Sequence, residues 1–312
     1  MTRSATQPLE DASLPPHRQP TRAGDLLRLL RPTQWTKNVL VFVAPGAAGS
    51  LVHAELALKS VGAFAIFCAA ASATYCLNDT LDAETDRVHP VKRHRPVASG
   101  RVSPATAVGL AVPLILAALA GSWFLAGWKL TVVTALYVAI TLSYSAWLKR
   151  VAVIELVAVA VGFVLRAIAG GVAVGVGLSE WFLLVTSFGA LFLVIGKRAG
   201  EHETLGPDRA LHRHTLSLYS PEYLRSALTL TAAGAVTTYC LWAFNQTGLA
   251  RRGDHLVWIE LSVAPVVTGV LYVLRLLTDG HGESPTDLAL SDRTLQVIGA
   301  AWALLVGLGV YG

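Results

Sequence analysis

The stretch SVGAFAIFCAAASATYCLNDTLDAETDRVHPVKRHR, residues 60–95, joins an apolar run long enough to cross a bilayer to a group of acidic and then basic residues. Asp79, Asp82 and Asp86 stand at positions i, i+3 and i+7, so they share one face if the preceding helix continues through them. Carboxylates this close repel one another unless a positive charge lies between them. The stretch therefore predicts a membrane helix that ends in a cation site.

Residues 78–86, which we call the acidic segment, favour Mg²⁺ because hard divalent cations take oxygen ligands and join carboxylates to substrate phosphates. We expect the metal to be held by Asn78, Asp79, Asp82 and Asp86. Lys92, Arg93 and Arg95 follow closely and are predicted phosphate partners. A solvated acidic loop would explain a lone pair of aspartates, but here an asparagine, three spaced aspartates and a basic run occur together. The segment predicts a Mg²⁺-diphosphate site at a membrane surface.

The composition identifies an all-α integral membrane protein. The chain has 312 residues, of which 54% are hydrophobic and only 14% are charged, a balance unlike that of soluble domains. Nine apolar stretches predict a nine-helix transmembrane bundle. They are Val39–Val52, Ser60–Leu77, Ala105–Leu125, Leu130–Trp147, Val151–Val174, Trp181–Ile195, Ser226–Phe244, Val257–Leu277 and Leu295–Tyr311. Cys68, Cys76 and Cys240 lie within these spans without metal-ligand spacing, which indicates apolar packing.

The basic residues predict the orientation of the bundle. Residues 1–24 are rich in Pro, Arg, Ser and Thr and lack an apolar signal segment, so we expect a disordered cytoplasmic tail before a transmembrane catalytic domain at 25–312. Most of the 25 Lys and Arg residues then fall on the cytoplasmic side; the four on the other side are Lys59, Lys129, Arg251 and Arg252. The acidic segment would face the cytoplasm, within reach of charged metabolites. We expect no nucleic-acid partner, and the sequence leaves the oligomeric state open.

Polar residues also end the fourth and sixth predicted spans. Tyr144 and Lys149 end the fourth, and Lys197, Arg198 and Glu201 end the sixth. If the spans form a bundle, these residues and the acidic segment converge on one cytoplasm-facing central cavity. The alternative for the sixth span is an ordinary charged helix end.

The fifth predicted span carries two ionisable residues on one face. Glu155 and Arg166 stand at i and i+11, so the arginine lies about 16 Å deeper in the membrane. An arginine at that depth is costly and needs a partner. Two explanations remain open: a structural partner such as a backbone carbonyl or a buried carboxylate, or a site for a lipid-phosphate head group.

Arg31-Pro32, the N-D-x-x-D-x-x-x-D pattern from Asn78 to Asp86 and the nine-span layout resemble the UbiA superfamily of intramembrane prenyltransferases. The resemblance covers nearly the whole chain. It implies two aspartate-rich motifs, after the second and sixth helices, that hold Mg²⁺ against a prenyl diphosphate. This chain keeps the first motif, but Gly196–Glu201 reads GKRAGE where the second is expected.

That departure occurs together with QWTKN at 34–38 and HPVKRHRP at 89–96. In these three features the chain is similar to the family members of mycobacteria and their relatives, for which the polyprenyl chain is the acceptor. The resemblance implies transfer of 5-phosphoribose from 5-phosphoribosyl diphosphate to polyprenyl (decaprenyl) phosphate. Diphosphate would be released, and the polyprenylphosphoryl-5-phosphoribose product would supply cell-wall arabinan synthesis. The enzyme would be a Mg²⁺-dependent transferase of the bacterial cytoplasmic membrane.

This activity suggests a role for each polar group. We expect Asp79, Asp82 and Asp86 to be catalytic, because they hold the metal on the departing diphosphate. Asn78, Lys92 and Arg93 would assist them at the diphosphate, and Lys197 and Arg198 would bind the donor's remaining phosphate. Tyr144, Lys149 and Glu155 would position ribose hydroxyls or the lipid phosphate, and Lys37 would bind the lipid phosphate near the membrane surface. The substrate-binding set is Lys37, Asn78, Lys92, Arg93, Tyr144, Lys149, Glu155, Arg166, Lys197, Arg198 and Glu201.

Two other functions stay open at the level of sequence. One is conventional transfer of a prenyl group from prenyl diphosphate to an aromatic acceptor. The other is a transporter, which the clustering of motifs on one membrane face disfavours. The segment from His202 to Tyr223 is either a lid over the site or an ordinary connector.

Overall fold

The computed structural model describes residues 22–205, 214–249, 256–279, 288 and 291–312, and these ranges contain helices and no strand. The helices, numbered here in chain order, are α1 Ala23–Leu30, α2 Val43–Ala47, α3 Ala54–Leu81, α4 Ala83–Val88, α5 Pro104–Ala146, α6 Ile154–Val174, α7 Glu180–Leu205, α8 Pro221–Leu249, α9 Leu256–Leu261, α10 Val263–Thr278 and α11 Arg293–Tyr311. Seven helical stretches in this part of the chain are long and apolar enough to cross a membrane. The protein is therefore a multi-pass, all-helical membrane protein.

Helix α5 accounts for two of the predicted spans. Its 43 residues would extend for about 64 Å as one straight helix, roughly twice the hydrocarbon thickness of a bilayer. Ala126 and Gly127 leave the helical conformation, and Gly127 has a φ of 70°, which glycine adopts without strain. The hydroxyls of Ser122 and Thr134 lie 2.8 Å apart across this break, so the two halves fold back on each other.

The first predicted span, 39–52, is not a single long helix. A 3₁₀ helix over Pro32–Phe42, the five-residue α2 and a 3₁₀ turn over Ser50–Val52 take its place. Pro45 lies within α2, and Gly49 has a φ of 69°, so neither position continues a long α-helix. The total of nine spans remains a prediction.

The segment before α3 is fixed to it by side-chain hydrogen bonds. Helix α1 begins at Ala23, within the predicted tail, and residues 1–21 lie outside the described ranges. Ser72 of α3 donates to the carbonyl of Leu30 at 2.9 Å and accepts from the indole N–H of Trp35 at 3.0 Å. These contacts flank Arg31, whose left-handed φ of 53° turns the chain between α1 and the 3₁₀ helix.

Two apolar clusters hold the bundle together beneath the site. In the first, residues of α3, α5 and α6 surround Phe67 and Tyr137, whose rings lie 5.1 Å apart. The second joins α6, α7 and α8 around Leu156, Ile195 and Leu228. Helix α6 belongs to both clusters, so it occupies the middle of the bundle. The polar ends of α3, α5 and α7 meet around it.

Candidate active site

A cavity of about 340 Å³ opens among α3, α5, α6, α7 and the segment after α1. Six of the predicted site residues line it, together with Arg31 and Gln34. The six are Lys37, Asn78, Tyr144, Arg166, Lys197 and Arg198. The sequence therefore identified positions far apart in the chain that the fold brings to one cavity.

The other predicted residues are not part of this lining. They are Asp79, Asp82, Asp86, Lys92, Arg93, Lys149, Glu155 and Glu201. Three of them form ion pairs with residues that do line it: Asp79 with Arg31, and Glu155 and Glu201 with Arg198.

The acidic segment does not continue as one helix. Helix α3 ends at Leu81, Asp82 stands at the joint with a ψ of 1°, and α4 begins at Ala83. The backbone is still tightly turned, because the N–H of Asp82 donates to the backbone carbonyl of Asn78 at 2.9 Å and the N–H of Asp86 donates to the backbone carbonyl of Asp82 at 2.8 Å. The three aspartates thus lie on α3, at the joint and on α4 rather than on one straight helical face.

Each of the three aspartates has a cationic partner. Arg95 Nη1 lies 2.6 Å from Asp86 Oδ2 and 3.4 Å from Asp79 Oδ1, so one guanidinium nitrogen joins two of the carboxylates. Arg31 forms an ion pair with Asp79. Asp82 is paired with Lys149, which confirms that the acidic segment and the end of α5 meet.

Arg31 connects the acidic segment to the cavity. It lines the cavity, contacts Asp79 and lies over the ring of Tyr75, with 5.0 Å from its guanidinium carbon to the ring centroid. Arg31 had no predicted site role of its own, although it belongs to the Arg31-Pro32 motif that carried the family resemblance. Arg95 was one of three basic residues in a run, and only its position in the fold distinguishes it from Lys92 and Arg93.

Lys92 and Arg93 follow α4 in a short turn of helix outside the cavity lining. They form a short 3₁₀ helix with His94, and Arg93 is exposed, with its Nε 3.4 Å from Nε2 of His94. Neither residue lines the cavity. Their role as phosphate ligands remains a prediction.

The acidic segment has the oxygen donors that Mg²⁺ prefers. Asp79 is 1% exposed, and its Oδ2 is buried without a hydrogen-bond partner, an arrangement that costs free energy unless another group binds there. Within the described ranges no three His, Cys, Asp or Glu side chains are grouped closely enough to hold a metal by themselves. Magnesium sites commonly use one or two carboxylates and complete their shell with substrate phosphates and water. The residues present fit that kind of site.

Arg198, Glu155 and Glu201 form a buried group that we call the Arg198 cluster. Arg198 Nε and Nη2 donate to the two carboxylate oxygens of Glu155 at 2.9 and 3.0 Å, and Nη1 donates to Glu201 at 2.8 Å. Glu155 is fully buried and Arg198 is 4% exposed. The guanidinium predicted to bind the donor's phosphate therefore already has carboxylate partners on three nitrogens.

Lys197 differs from its neighbour Arg198. Its side chain is 51% exposed, and Nζ lies 3.9 Å from Glu201 Oε1, at the limit of an ion pair. It lines the cavity as Lys37 and Tyr144 do. A half-exposed lysine with one distant carboxylate keeps its charge available to an anion, so Lys197 is the better candidate for a phosphate ligand.

Arg166 has a structural partner for each guanidinium nitrogen. Nε donates to Asn38 at 2.7 Å, Nη1 to the carbonyl of Gly162 at 2.7 Å and Nη2 to the hydroxyl of Tyr137 at 2.8 Å. The guanidinium carbon also lies 4.6 Å from the centre of the Tyr137 ring. A backbone carbonyl was among the partners proposed from the sequence; Asn38 and Tyr137 were not foreseen. Because Arg166 also lines the cavity, binding of a lipid phosphate remains a prediction.

The segment from His202 to Tyr223 returns to the site. Residues 206–213 lie outside the described ranges, and His214–Leu218 form a 3₁₀ helix. Tyr219 then places its hydroxyl 2.8 Å from the backbone nitrogen of Val153 and 3.5 Å from Glu155 Oε1. Burial raises the pKa of the Tyr219 hydroxyl above its usual value, so it stays protonated near neutral pH. The sequence carried no signal for this contact.

The arrangement suits a small molecule with several negative charges. Arg31, Lys37 and Lys197 give the cavity wall its positive charge, while the acidic segment beside it offers ligands for a metal. Tyr144 and Asn78 add neutral hydrogen-bonding groups. Such a site can bind phosphates at two ends of one substrate.

Comparison with known proteins identifies relatives of this chain. Residues 39–307 match the sequence model of the UbiA prenyltransferase family. The decaprenyl-phosphate phosphoribosyltransferase of Corynebacterium glutamicum is 41% identical over 303 residues, which cover 94% of this chain and 90% of that protein. The protein of the same name from Mycolicibacterium smegmatis is 40% identical over 297 residues, which cover 92% of this chain and 92% of that protein.

Solved structures support the fold. A UbiA homologue from Archaeoglobus fulgidus bound to GPP and Mg²⁺ matches with a TM-score of 0.67 at 21% identity, over 91% of this chain and 98% of that one. The same homologue bound to DMAPP and Mg²⁺ also gives a TM-score of 0.67.

Proposed function

Because the chain belongs to the UbiA prenyltransferase family, we propose that it transfers 5-phosphoribose from 5-phosphoribosyl diphosphate to a polyprenyl phosphate such as decaprenyl phosphate. The observation that carries this proposal is the identity of about 41% to decaprenyl-phosphate phosphoribosyltransferase over most of both chains. The product, polyprenylphosphoryl-5-phosphoribose, would supply cell-wall arabinan synthesis. Diphosphate is the second product.

The charges of the site support a donor with two anionic ends. 5-Phosphoribosyl diphosphate has a diphosphate on the anomeric carbon and a separate phosphate at the far end of the ribose. The acidic segment with its metal would take the diphosphate, and Lys197 would take the single phosphate. Lys37, which also lines the cavity, would contact the lipid phosphate near the membrane surface.

A bound Mg²⁺ would neutralise charge on the departing diphosphate. Asp79, Asp82 and Asp86 would surround it, with Asn78 as a further oxygen ligand; one or two of the carboxylates would bind it directly, and the donor's phosphates and water would complete its shell. Arg31 and Arg95, which contact these carboxylates, limit the repulsion among them and stand where they can also bind diphosphate oxygens.

The carbon–oxygen bond between ribose and diphosphate breaks with its electron pair leaving on the diphosphate, through an oxocarbenium-like state. An oxygen of the lipid phosphate attacks from the opposite face, so the configuration of the anomeric carbon inverts. A phosphate monoester has a second pKa of about 6, so its oxygens are largely ionised at neutral pH and a strong general base is unnecessary. Tyr144, which lines the cavity, would position ribose hydroxyls.

The cytoplasm supplies a soluble phosphosugar donor, so the site should face it. The excess of Lys and Arg on the side of the acidic segment favours this orientation in a bacterial cytoplasmic membrane. The lipid acceptor would enter from the bilayer.

The decisive experiment supplies purified protein with Mg²⁺ and two pairs of substrates. We expect labelled phosphoribose to move from 5-phosphoribosyl diphosphate to polyprenyl phosphate, with one diphosphate released for each product. Product from prenyl diphosphate and an aromatic acceptor, without phosphoribosyl transfer, would instead assign conventional prenyl transfer. Substrate flux across sealed vesicles without diphosphate release would assign a transporter.

A further inference from the structure

The hydroxyl of Tyr219 joins the segment before α8 to the turn before α6 and to Glu155. It follows the 3₁₀ helix His214–Leu218 and precedes α8, and its side chain is 5% exposed. Its oxygen accepts a hydrogen bond from the N–H of Val153 at 2.8 Å and can donate to Glu155 Oε1 at 3.5 Å. The hydroxyl thus contacts both the turn before α6 and the Arg198 cluster.

Val153 has a backbone conformation that is rare for its residue type. Its φ is 67° and its ψ is −49°, and the N–H of Ile154 donates to the carbonyl of Ala152 at 2.8 Å. These features define a classic γ-turn, which is strained, and a β-branched residue with positive φ adds to the strain. Such a conformation persists only when surrounding contacts hold it.

The strained turn sets the start of α6, and therefore the position of Glu155. Glu155 is the second residue of α6 and is fully buried against Arg198. Arg198 adjoins Lys197, which lines the cavity. A contact that holds the turn consequently also fixes the polar end of α7 relative to the cavity.

We propose that Tyr219 is a positioning residue for the donor: its hydroxyl holds the γ-turn at Val153 and seats the Glu155–Arg198 pair, so that Lys197 faces the donor's phosphate. The donor's identity rests on the proposed function. The contacts of Tyr219 with Val153 and Glu155 do not depend on that function.

The variant Tyr219→Phe removes the hydroxyl and keeps the buried ring. Tyr223→Phe is the matched control, because its ring stacks on Tyr219 with centroids 5.6 Å apart and it is 41% exposed. We expect Tyr219→Phe to raise the Kd for 5-phosphoribosyl diphosphate about tenfold, because loss of the hydroxyl would cut the population of the donor-binding conformation by about that factor, and to leave the Kd for polyprenyl phosphate within about twofold. Tyr223→Phe should change neither. An equal rise in the Kd values of both substrates would overturn the proposal, as would an unchanged Kd for the donor.

A second substitution tests the link to backbone strain. Glycine adopts positive φ without a steric penalty, so Val153→Gly should restore most of the donor affinity in the Tyr219→Phe background. Failure of this double variant to recover donor affinity would mean that Tyr219 does not act through the turn.

Hydrogen exchange separates this proposal from the function on which it rests. In the absence of any substrate, the Val153 amide should exchange faster in Tyr219→Phe than in the wild type or in Tyr223→Phe, because it loses its acceptor. Unchanged exchange overturns the link. If the wild type fails to bind 5-phosphoribosyl diphosphate, the proposed function fails, while the exchange result still decides whether Tyr219 holds the turn.

Discussion

The Arg198 guanidinium and the Glu155 carboxylate form an ion pair with two hydrogen bonds, 2.9 and 3.0 Å long, that is almost closed to solvent. The two residues come from α7 and α6 and stand 43 positions apart. Lys197, the next residue to Arg198, is instead half exposed at the cavity. Adjacent cations of one helix therefore have different environments, and their substitution should have different consequences.

Replacing Arg198 with Ala should lower the free energy of unfolding by about 3–5 kcal/mol, because it leaves the Glu155 carboxylate buried without its charged partner. Denaturant or thermal unfolding in detergent measures this loss. Lys197→Ala is the control on the same helix, and its exposed side chain predicts a change within about 0.5 kcal/mol. Equal stability of the two variants would show that the buried pair contributes little to the fold.

Lys197→Ala should raise the KM for 5-phosphoribosyl diphosphate by about tenfold or more, since a charge-assisted hydrogen bond to a phosphate is lost. The KM for polyprenyl phosphate should stay within about twofold. Lys129→Ala removes an exposed lysine outside the cavity lining, on the predicted opposite side of the membrane, and should leave both constants unchanged. A matching rise in both KM values for Lys197→Ala would refute its assignment to the donor.

The hydrophobic pattern predicted most of the helices, because burial in a bilayer requires long apolar runs whatever the tertiary packing. It also placed the break between the third and fourth spans at 126–129, where Ala126 and Gly127 leave the helix. It failed at 39–52, where apolar residues fold as short helical pieces. Hydropathy does not register the backbone constraints of Pro45 and Gly49.

The site was predicted as a set of residues but not as a set of pairs. Spacing indicated that Asp79 and its neighbours belong together, but the ion pair of Asp79 with Arg31 joins positions 48 apart. Pairings at that separation depend on how helices pack, which a local pattern does not encode. Tyr219 shows the same limit, because its hydroxyl contacts Val153 and Glu155, which stand 66 and 64 positions away.

Asp82→Asn should nearly abolish transfer and diphosphate release, because it removes one of the metal's charged ligands and the partner of Lys149. Diphosphate released from labelled donor measures the effect. Glu84→Gln neutralises an exposed carboxylate two positions along the same segment and should retain activity. Unchanged turnover in Asp82→Asn would remove this aspartate from the mechanism.

Removal of Mg²⁺ should weaken donor binding by at least about tenfold, and its return should restore binding. The reason lies in the acidic segment, where Asp79 and Asp86 share Arg95 and where Asp79 Oδ2 is buried without a hydrogen-bond partner. A diphosphate brought beside these carboxylates meets repulsion that a divalent cation relieves.

Titration of 5-phosphoribosyl diphosphate with and without EDTA measures this dependence, and polyprenyl phosphate serves as the ligand whose affinity should not change. In Asp79→Asn the donor should bind weakly under both conditions, because the metal's ligand is altered. Equal donor affinity with and without Mg²⁺ in the wild type would mean that Arg31 and Arg95, rather than a metal, carry the diphosphate charge. The acidic segment would then position those two arginines instead of binding a cation.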